Sequence, residues 1–255
     1  MAKQERHLRT HAIVLRRRIY READWMLTLF SPTYGKFDAV AHGARKITSR
    51  KTGHVELFAC VDILINRRKE PGIVSQVELI EPFLPMREDL VRGAYATYAV
   101  ELLDKLTQFE DTDAEPLYQL FYQTLSQLCT APDPRLVLRY YELHLMEQAG
   151  FRPELNDCVM SGEPIEPVAQ FFSYADGGVV SLKFGQHSFN FIPISFNALK
   201  LLRHMQRSPF QQVASLRLED SLLLEVEHLL LGYITHILET HLQSVDFIRR
   251  VRRPL

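Results

Sequence analysis

VDILINRRKEPGIVSQVEL, residues 61–79, decides the fold. Val61, Ile63 and Ile65 alternate with Asp62 and Asn66, and Ile73, Ser75, Val77 and Leu79 alternate with Gln76 and Glu78. Successive strand side chains point to opposite faces, so a period of two marks a half-buried β-strand. Between the two runs, Arg67-Arg68-Lys69-Glu70-Pro71-Gly72 is a charged turn whose Pro-Gly pair reverses the chain. The stretch is therefore a hairpin.

Upstream, Ala12–Leu15 is a short apolar run, and Trp25–Phe30 is another that stops at Ser31-Pro32. Phe37, Ala39 and Ala41 alternate with Asp38 and His42. About five short strands in some seventy residues predict a small Greek-key barrel of the OB-fold type. Glu81-Pro82 closes this region, and the period then changes. Tyr95, Tyr98, Leu102, Leu103 and Leu106 recur at helical spacing, as do Leu117, Leu120, Phe121, Leu125 and Leu128. Arg135–Gln148 is apolar on most sides and reads as the central helix, opened by Asp133-Pro134 and closed by Gly150. Residues 151–193 break the pattern with Pro153, Pro164, Pro167 and an Asp176-Gly177-Gly178 hairpin signal. Helices resume over 195–206 and 219–241. The expectation is an α+β chain: an OB-fold β-barrel over 1–81, then an all-α helical domain over 82–255 with an irregular β-hairpin insert at 151–193.

Charge divides along the same line. The net formal charge is −1, but residues 1–81 hold 15 Lys/Arg against 9 Asp/Glu, and residues 82–255 hold 15 against 22. A basic barrel joined to an acidic helical region points to two different partners. The basic part centres on GKFDAVAHGARKITSRK, residues 35–51, with two glycines and the cations Lys36, Arg45, Lys46, Arg50 and Lys51. Such a connection between strands is suited to gripping a polyanion. A merely solvated basic face is the competing reading. Three scattered cysteines give no disulfide framework. With no N-terminal signal pattern and no apolar run of about 18 residues, a cytoplasmic home and no membrane partner are expected. Phosphate-loop, GxSxG, HExxH and dinucleotide fingerprints are absent, and no carboxylate pair stands out, so no enzyme is expected.

The motifs Glu22, Asp24, Leu29-Phe30, Gly35-Lys36, Gly43-Ala44-Arg45-Lys46, Ser49, Leu57-Phe58 and Val77-Glu78-Leu79, with Gly150-Phe151 and Cys158–Pro164 further on, resemble the RecO family in order and spacing. The resemblance spans nearly the whole chain. It implies a bacterial recombination mediator that binds ssDNA and dsDNA and anneals complementary strands. With RecR and the single-stranded-DNA-binding protein (SSB) as partners, it would promote loading of RecA, near the nucleoid. A general OB-fold RNA-binding module without a recombination role is the rival, and an enzyme with an unseen site is a third reading. Many relatives carry a CxxC…CxxC zinc site in the insert. Here the first pair is Cys158-Val-Met-Ser161 and the second falls at Ser181-Leu-Lys-Phe184, so a degenerate zinc-finger-like insert without metal or other cofactor is expected. Packing of Phe171, Phe172, Phe184 and Phe189 would take the metal's place.

On this reading Arg45, Lys46, Arg50 and Lys51 meet phosphates, and Lys36, Arg16, Arg17, Arg18, Arg67 and Arg68 extend the track. Gly43 would admit a phosphate close to backbone N–H groups. Tyr34, beside a turn, is the expected base-stacking aromatic, whereas Trp25 and Phe37 read as core. About five phosphate contacts imply a log–log salt slope near about −3.5 on single strands. The C-terminal Arg249, Arg250, Arg252 and Arg253 form a basic tip assigned to no partner.

Overall fold

In the computed structural model the described residues are 7–46, 49, 51–67, 70–109, 113–186 and 190–252. They fall into two compact units, one running to residue 130 and joined by 250–252, the other spanning 131–249. The strands β1 (His7–Arg21), β2 (Asp24–Ser31), β3 (Gly35–Ala41), β4 (Cys60–Asn66) and β5 (Gly72–Glu81) make a closed barrel in the order β1-β2-β3-β5-β4. Every pairing is antiparallel except β3 with β5, which closes the barrel in parallel at Ala39–Gly72 and Val40–Ile73. This is the OB-type barrel that the alternating runs predict.

The strand interiors explain the barrel. Val14, Leu27, Leu29, Ala39, Ala41, Val61, Ile63, Ile65 and Val74 form one buried core. Ala12–Leu15 does not alternate because both of its faces are buried. The expected face of the last strand is corrected. Val74 is buried, whereas Ile73 and Leu79 are exposed. A bulge between Leu64 and Ile65 lets Ile65 pair with Val74 while Leu64 pairs with Gln76, which shifts the phase by one residue.

Strand gives way to helix after Glu81, but packing draws a different line. The helices α1 (Pro85–Glu88), α2 (Leu90–Leu106) and α3 (Glu115–Thr130) belong to the barrel's unit. Phe30 of β2 lies 6.2 Å from the Tyr118 ring and 6.5 Å, edge-on, from Phe121 of α3. The Cys60 thiol of β4 meets the Tyr118 hydroxyl at 3.4 Å, and burial pushes both groups' pKa values up.

The second unit holds α4 (Pro134–Gln148), β6 (Gln170–Ser173), β7 (Gly178–Val180), α5 (Leu182–Gly185), β8 (Ile192–Ile194), α6 (Phe196–Arg207), α7 (Phe210–Ala214) and α8 (Asp220–Leu238). A last helix, α9 (Gln243–Arg252), follows. Asp133 caps α4 by accepting from the Arg135 N–H, and Ser195 caps α6 through the Ala198 N–H. The hairpin β6–β7 turns at Gly177, φ +68°, and β8 adds a third strand beyond it. α8 corrects the reading of apolar runs: it is 19 residues long and holds an 18-residue stretch of mean hydropathy 1.3, enough by length and composition to cross a membrane. Here Leu223, Val226, Leu230 and Ile234 are its buried stripe.

Phe30→Ala removes the ring that joins β2 to α3 and should cost about 3–5 kcal/mol, the usual range for a buried Phe. Urea unfolding measures it, and a loss below about 1 kcal/mol would contradict this packing.

Candidate nucleic-acid interface

The basic residues do not behave as one track. Alternation along β1 separates Arg16 and Arg18 from Arg17. Arg16 pairs with Asp104 of α2, and Arg18 reaches Asp38 of β3 at 3.2 Å. Arg17 pairs with Glu56 at 2.8 Å and lies 5.0 Å from the Trp25 ring. The Arg45 guanidinium, from the turn after β3, lies 5.3 Å from the same ring. It also donates to the Glu22 carbonyl at 2.7 Å and to the Arg21 carbonyl at 3.3 Å. Lys46 is exposed beside it. Arg21, at the tip of the β1–β2 hairpin, lies 5.4 Å from the ring of Tyr20, which is 43% exposed. This end of the barrel thus brings Arg17 and Arg45 to Trp25, with Lys46 next to Arg45, while Arg21 lies beside Tyr20 on the β1–β2 hairpin.

Local chemistry fixes that cluster. Asp24, nearly buried, accepts the Gly43 N–H at 2.8 Å and the His42 Nδ1 at 2.8 Å. These bonds, the Gly43 N–H first, hold its carboxyl below the usual range. The Arg45 N–H donates to the Ala23 carbonyl at 3.1 Å, so the turn is tied to the hairpin from both sides. Gly43 sits at φ +68°, a left-handed conformation that glycine adopts without strain.

Several expected roles change. Lys36 is 3% exposed, and its ammonium donates to the Asp104 carbonyl at 2.7 Å, the Asp104 Oδ1 at 3.0 Å and the Thr107 carbonyl at 2.9 Å. A lysine has three N–H donors and all are used, so Lys36 ties β3 to the end of α2 and offers nothing to a phosphate. Lys51 donates to the Val74 carbonyl at 2.8 Å, and burial pushes its pKa down. Gly43 gives its N–H to Asp24 rather than to a ligand. Tyr34 packs against the barrel core, and so does Trp25, although Trp25 also carries the two guanidiniums. Arg67 lines a cleft at the β4–β5 turn. Arg50 and Arg68 lie outside the described residues. At the C-terminus, Arg252 donates to the Tyr95 hydroxyl at 2.7 Å, which gives it a structural role, and Arg249 pairs with Asp246 at 3.7 Å. Arg253 also lies outside the described residues. Sequence reading missed Arg21 and Tyr20. The signal was the charge following Ile19-Tyr20, hidden because the strand had been ended at Leu15.

In the insert, the Cys158 carbonyl accepts the Ser161 and Gly162 N–H groups, and the Ser181 N–H points at its sulfur at 3.3 Å. Burial pushes this thiol up, but hydrogen bonds from Ser181, Ser161 and Met160 outweigh it and bring it to about 7. Among the described residues no group of three His, Cys, Asp or Glu side chains could hold a metal. The expected aromatic packing is partly corrected. Phe172 packs with Tyr174 and Tyr233, whereas Phe184 is 37% exposed, and Phe189 lies outside the described residues.

Asp24 supplies a pH test. Its lowered carboxyl value means that its stabilisation is present above the unfolded value of about 4 and is lost as pH falls through the lower folded one. Wild type should therefore exceed Asp24→Asn in stability at pH 7, and the gap should shrink below about pH 4 in denaturant titrations. A gap that does not change with pH would contradict the assignment.

Two family models match the chain, Recombination protein O N terminal over residues 5–83 and Recombination protein O C terminal over residues 87–246. Among curated relatives, a DNA repair protein RecO from Roseiflexus sp. (strain RS-1) is 35% identical over 252 residues, covering 99% of this chain and 88% of its own. One from Symbiobacterium thermophilum is 34% identical, covering 94% and 96%. One from Desulforamulus reducens is 33% identical, covering 94% and 93%.

Proposed function

The chain belongs to the RecO family of DNA repair proteins, and from that premise we propose that it is a non-catalytic mediator whose barrel grips DNA through its Trp25 end. The observation that carries this reading is the pair of guanidiniums, Arg17 and Arg45, on the Trp25 ring beside exposed Lys46 and hairpin Arg21. Cations meet phosphates regardless of sequence, and aromatic rings beside them offer a face to unpaired bases. The barrel binds ssDNA and dsDNA on this surface and anneals complementary strands by screening the repulsion between them. No covalent step is needed.

The internal use of Lys36 and Lys51 moves the grip away from the centre of the 35–51 stretch and toward Arg45 and Lys46. Arg17, Arg21, Arg45 and Lys46 supply about four cations, so the salt slope on single strands falls to about −2.8, at about 0.7 for each contact. The acidic helical part meets proteins rather than DNA: RecR, and the single-stranded-DNA-binding protein whose coated strands receive RecA. This places its work with the chromosome in the cytoplasm.

Arg45→Ala/Lys46→Ala should weaken binding alike across oligonucleotide sequences and flatten the salt slope by about 1.4, at about 0.7 for each lost contact. Fluorescence anisotropy at several salt concentrations reads both, with the thermal midpoint confirming the fold. Unchanged affinity in a folded double variant would overturn the proposal.

A further inference from the structure

The parallel contact that closes the barrel is short. β5 pairs with β3 only at Ala39 and Val40, so the start of β3 has no β5 partner. Beside that gap a cleft of about 380 Å³ is lined by Phe37, Asp38, Ile65, Arg67, Pro71 and Phe109, together with Glu70 and Gly72. This lies within the range of about 300–1,000 Å³ typical of small-ligand sites. Phe37 and Ile65, 5% and 1% exposed, give it apolar walls continuous with the core. Phe109 does not belong to the barrel. It follows α2 and bridges to Lys36 of β3 as a short parallel contact.

Phe109 is held in place, yet open. The Lys36 ammonium, fixed by the Asp104 and Thr107 carbonyls, lies 4.8 Å from its ring. The ring is nonetheless 56% exposed. On an anchored backbone at the edge of a cleft, the ring offers a face on which a base can stack. The charges in the cleft narrow the choice of ligand. Asp38 is engaged by Arg18 and by the Thr28 hydroxyl, and Glu70 lines the cleft with Arg67; a carboxylate such as Glu70 accepts well from the exocyclic amino groups of bases. The Arg67 side chain adds a further polar wall. Arg18, which pairs with Asp38, connects this rim to the basic strand β1.

We infer that this cleft receives one unpaired nucleobase, stacked on Phe109, from a strand whose phosphates lie on the basic end of the barrel. The inference rests on the DNA-binding reading above and names its base-contacting subsite. A segment outside the barrel completes the groove, and Lys36 acts as a positioning residue that holds it in place. A duplex keeps its bases paired and stacked inside, so the site favours single strands over double strands.

Phe109→Ala tests this, with Phe109→Trp as the conservative companion. Anisotropy is measured with a single-stranded oligonucleotide, the same oligonucleotide with abasic sites, and a duplex of equal length. Phe109→Ala should bind the single strand about 5- to 150-fold more weakly, the usual effect of removing one stacking ring, while its duplex affinity and thermal midpoint stay unchanged. Phe109→Trp should retain single-strand affinity, and the abasic strand should bind wild type and Phe109→Ala equally. Equal loss on single strand and duplex, or no loss on either, overturns the subsite but leaves the basic grip standing. Wild type that binds none of the three probes overturns the DNA reading itself.

Discussion

The first unit depends on how its barrel closes. Two residue pairs, Ala39–Gly72 and Val40–Ile73, join β3 to β5 in parallel. Gly72 is required at that seam, because a Cβ there would stand 2.6 Å from the Ile65 Cγ2. The closure is enough to bury Phe37, Ile65 and Val74 in one core, yet it leaves the start of β3 without a β5 neighbour. The chain fills part of that space from outside the barrel, with Lys36 capping carbonyls at the end of α2 and Phe109 lying alongside. Donors that a helix C-terminus lacks are thus supplied by a strand. That contact ties α2 to the barrel, and Phe30 packed on Tyr118 and Phe121 ties α3, so the compact unit does not stop with β5.

The same geometry sorts the basic residues into two kinds. Backbone alternation directs Arg16 and Arg18 toward the carboxylates of Asp104 and Asp38, and burial commits Lys36 and Lys51 to backbone carbonyls. Arg17, Arg21, Arg45 and Lys46 lie where the β1–β2 hairpin meets the turn after β3. Asp24 makes that junction: one carboxylate holds the Gly43 N–H and the His42 ring, which sets the turn so that Arg45 reaches Trp25. An acidic residue inside a basic region is here the element that shapes it.

Much of this was legible in the sequence. Alternation in β3 and β4, broken only by Val40 and Leu64, pointed to the barrel, and Asp133-Pro134 and Ser195 marked helix starts that the structure uses. The phase of β5 was not legible, because a bulge leaves no signature in an apolar pattern that tolerates either register. Nor was the fate of Lys36. Its burial depends on the end of α2, some seventy residues away, and a lysine beside a glycine looks the same whether it is solvated or saturated. Trp25 was read as core, which is half of its role; its guanidinium neighbours come from β1 and a turn that only tertiary structure brings together. In the insert, loss of the thiolates was plain, but which phenylalanine packs inside was not: Phe172 meets Tyr174 and Tyr233, while Phe184 is exposed.

Trp25 is the single tryptophan of the chain, so its fluorescence reports on the proposed grip without any substitution. Titration of the intact protein with a single-stranded oligonucleotide at low salt should change the Trp25 emission to saturation, at the same midpoint as anisotropy. Added salt should reverse the change along the slope expected for phosphate contacts. If anisotropy shows saturable binding while the Trp25 emission stays constant, DNA is held elsewhere and the account of this surface is wrong.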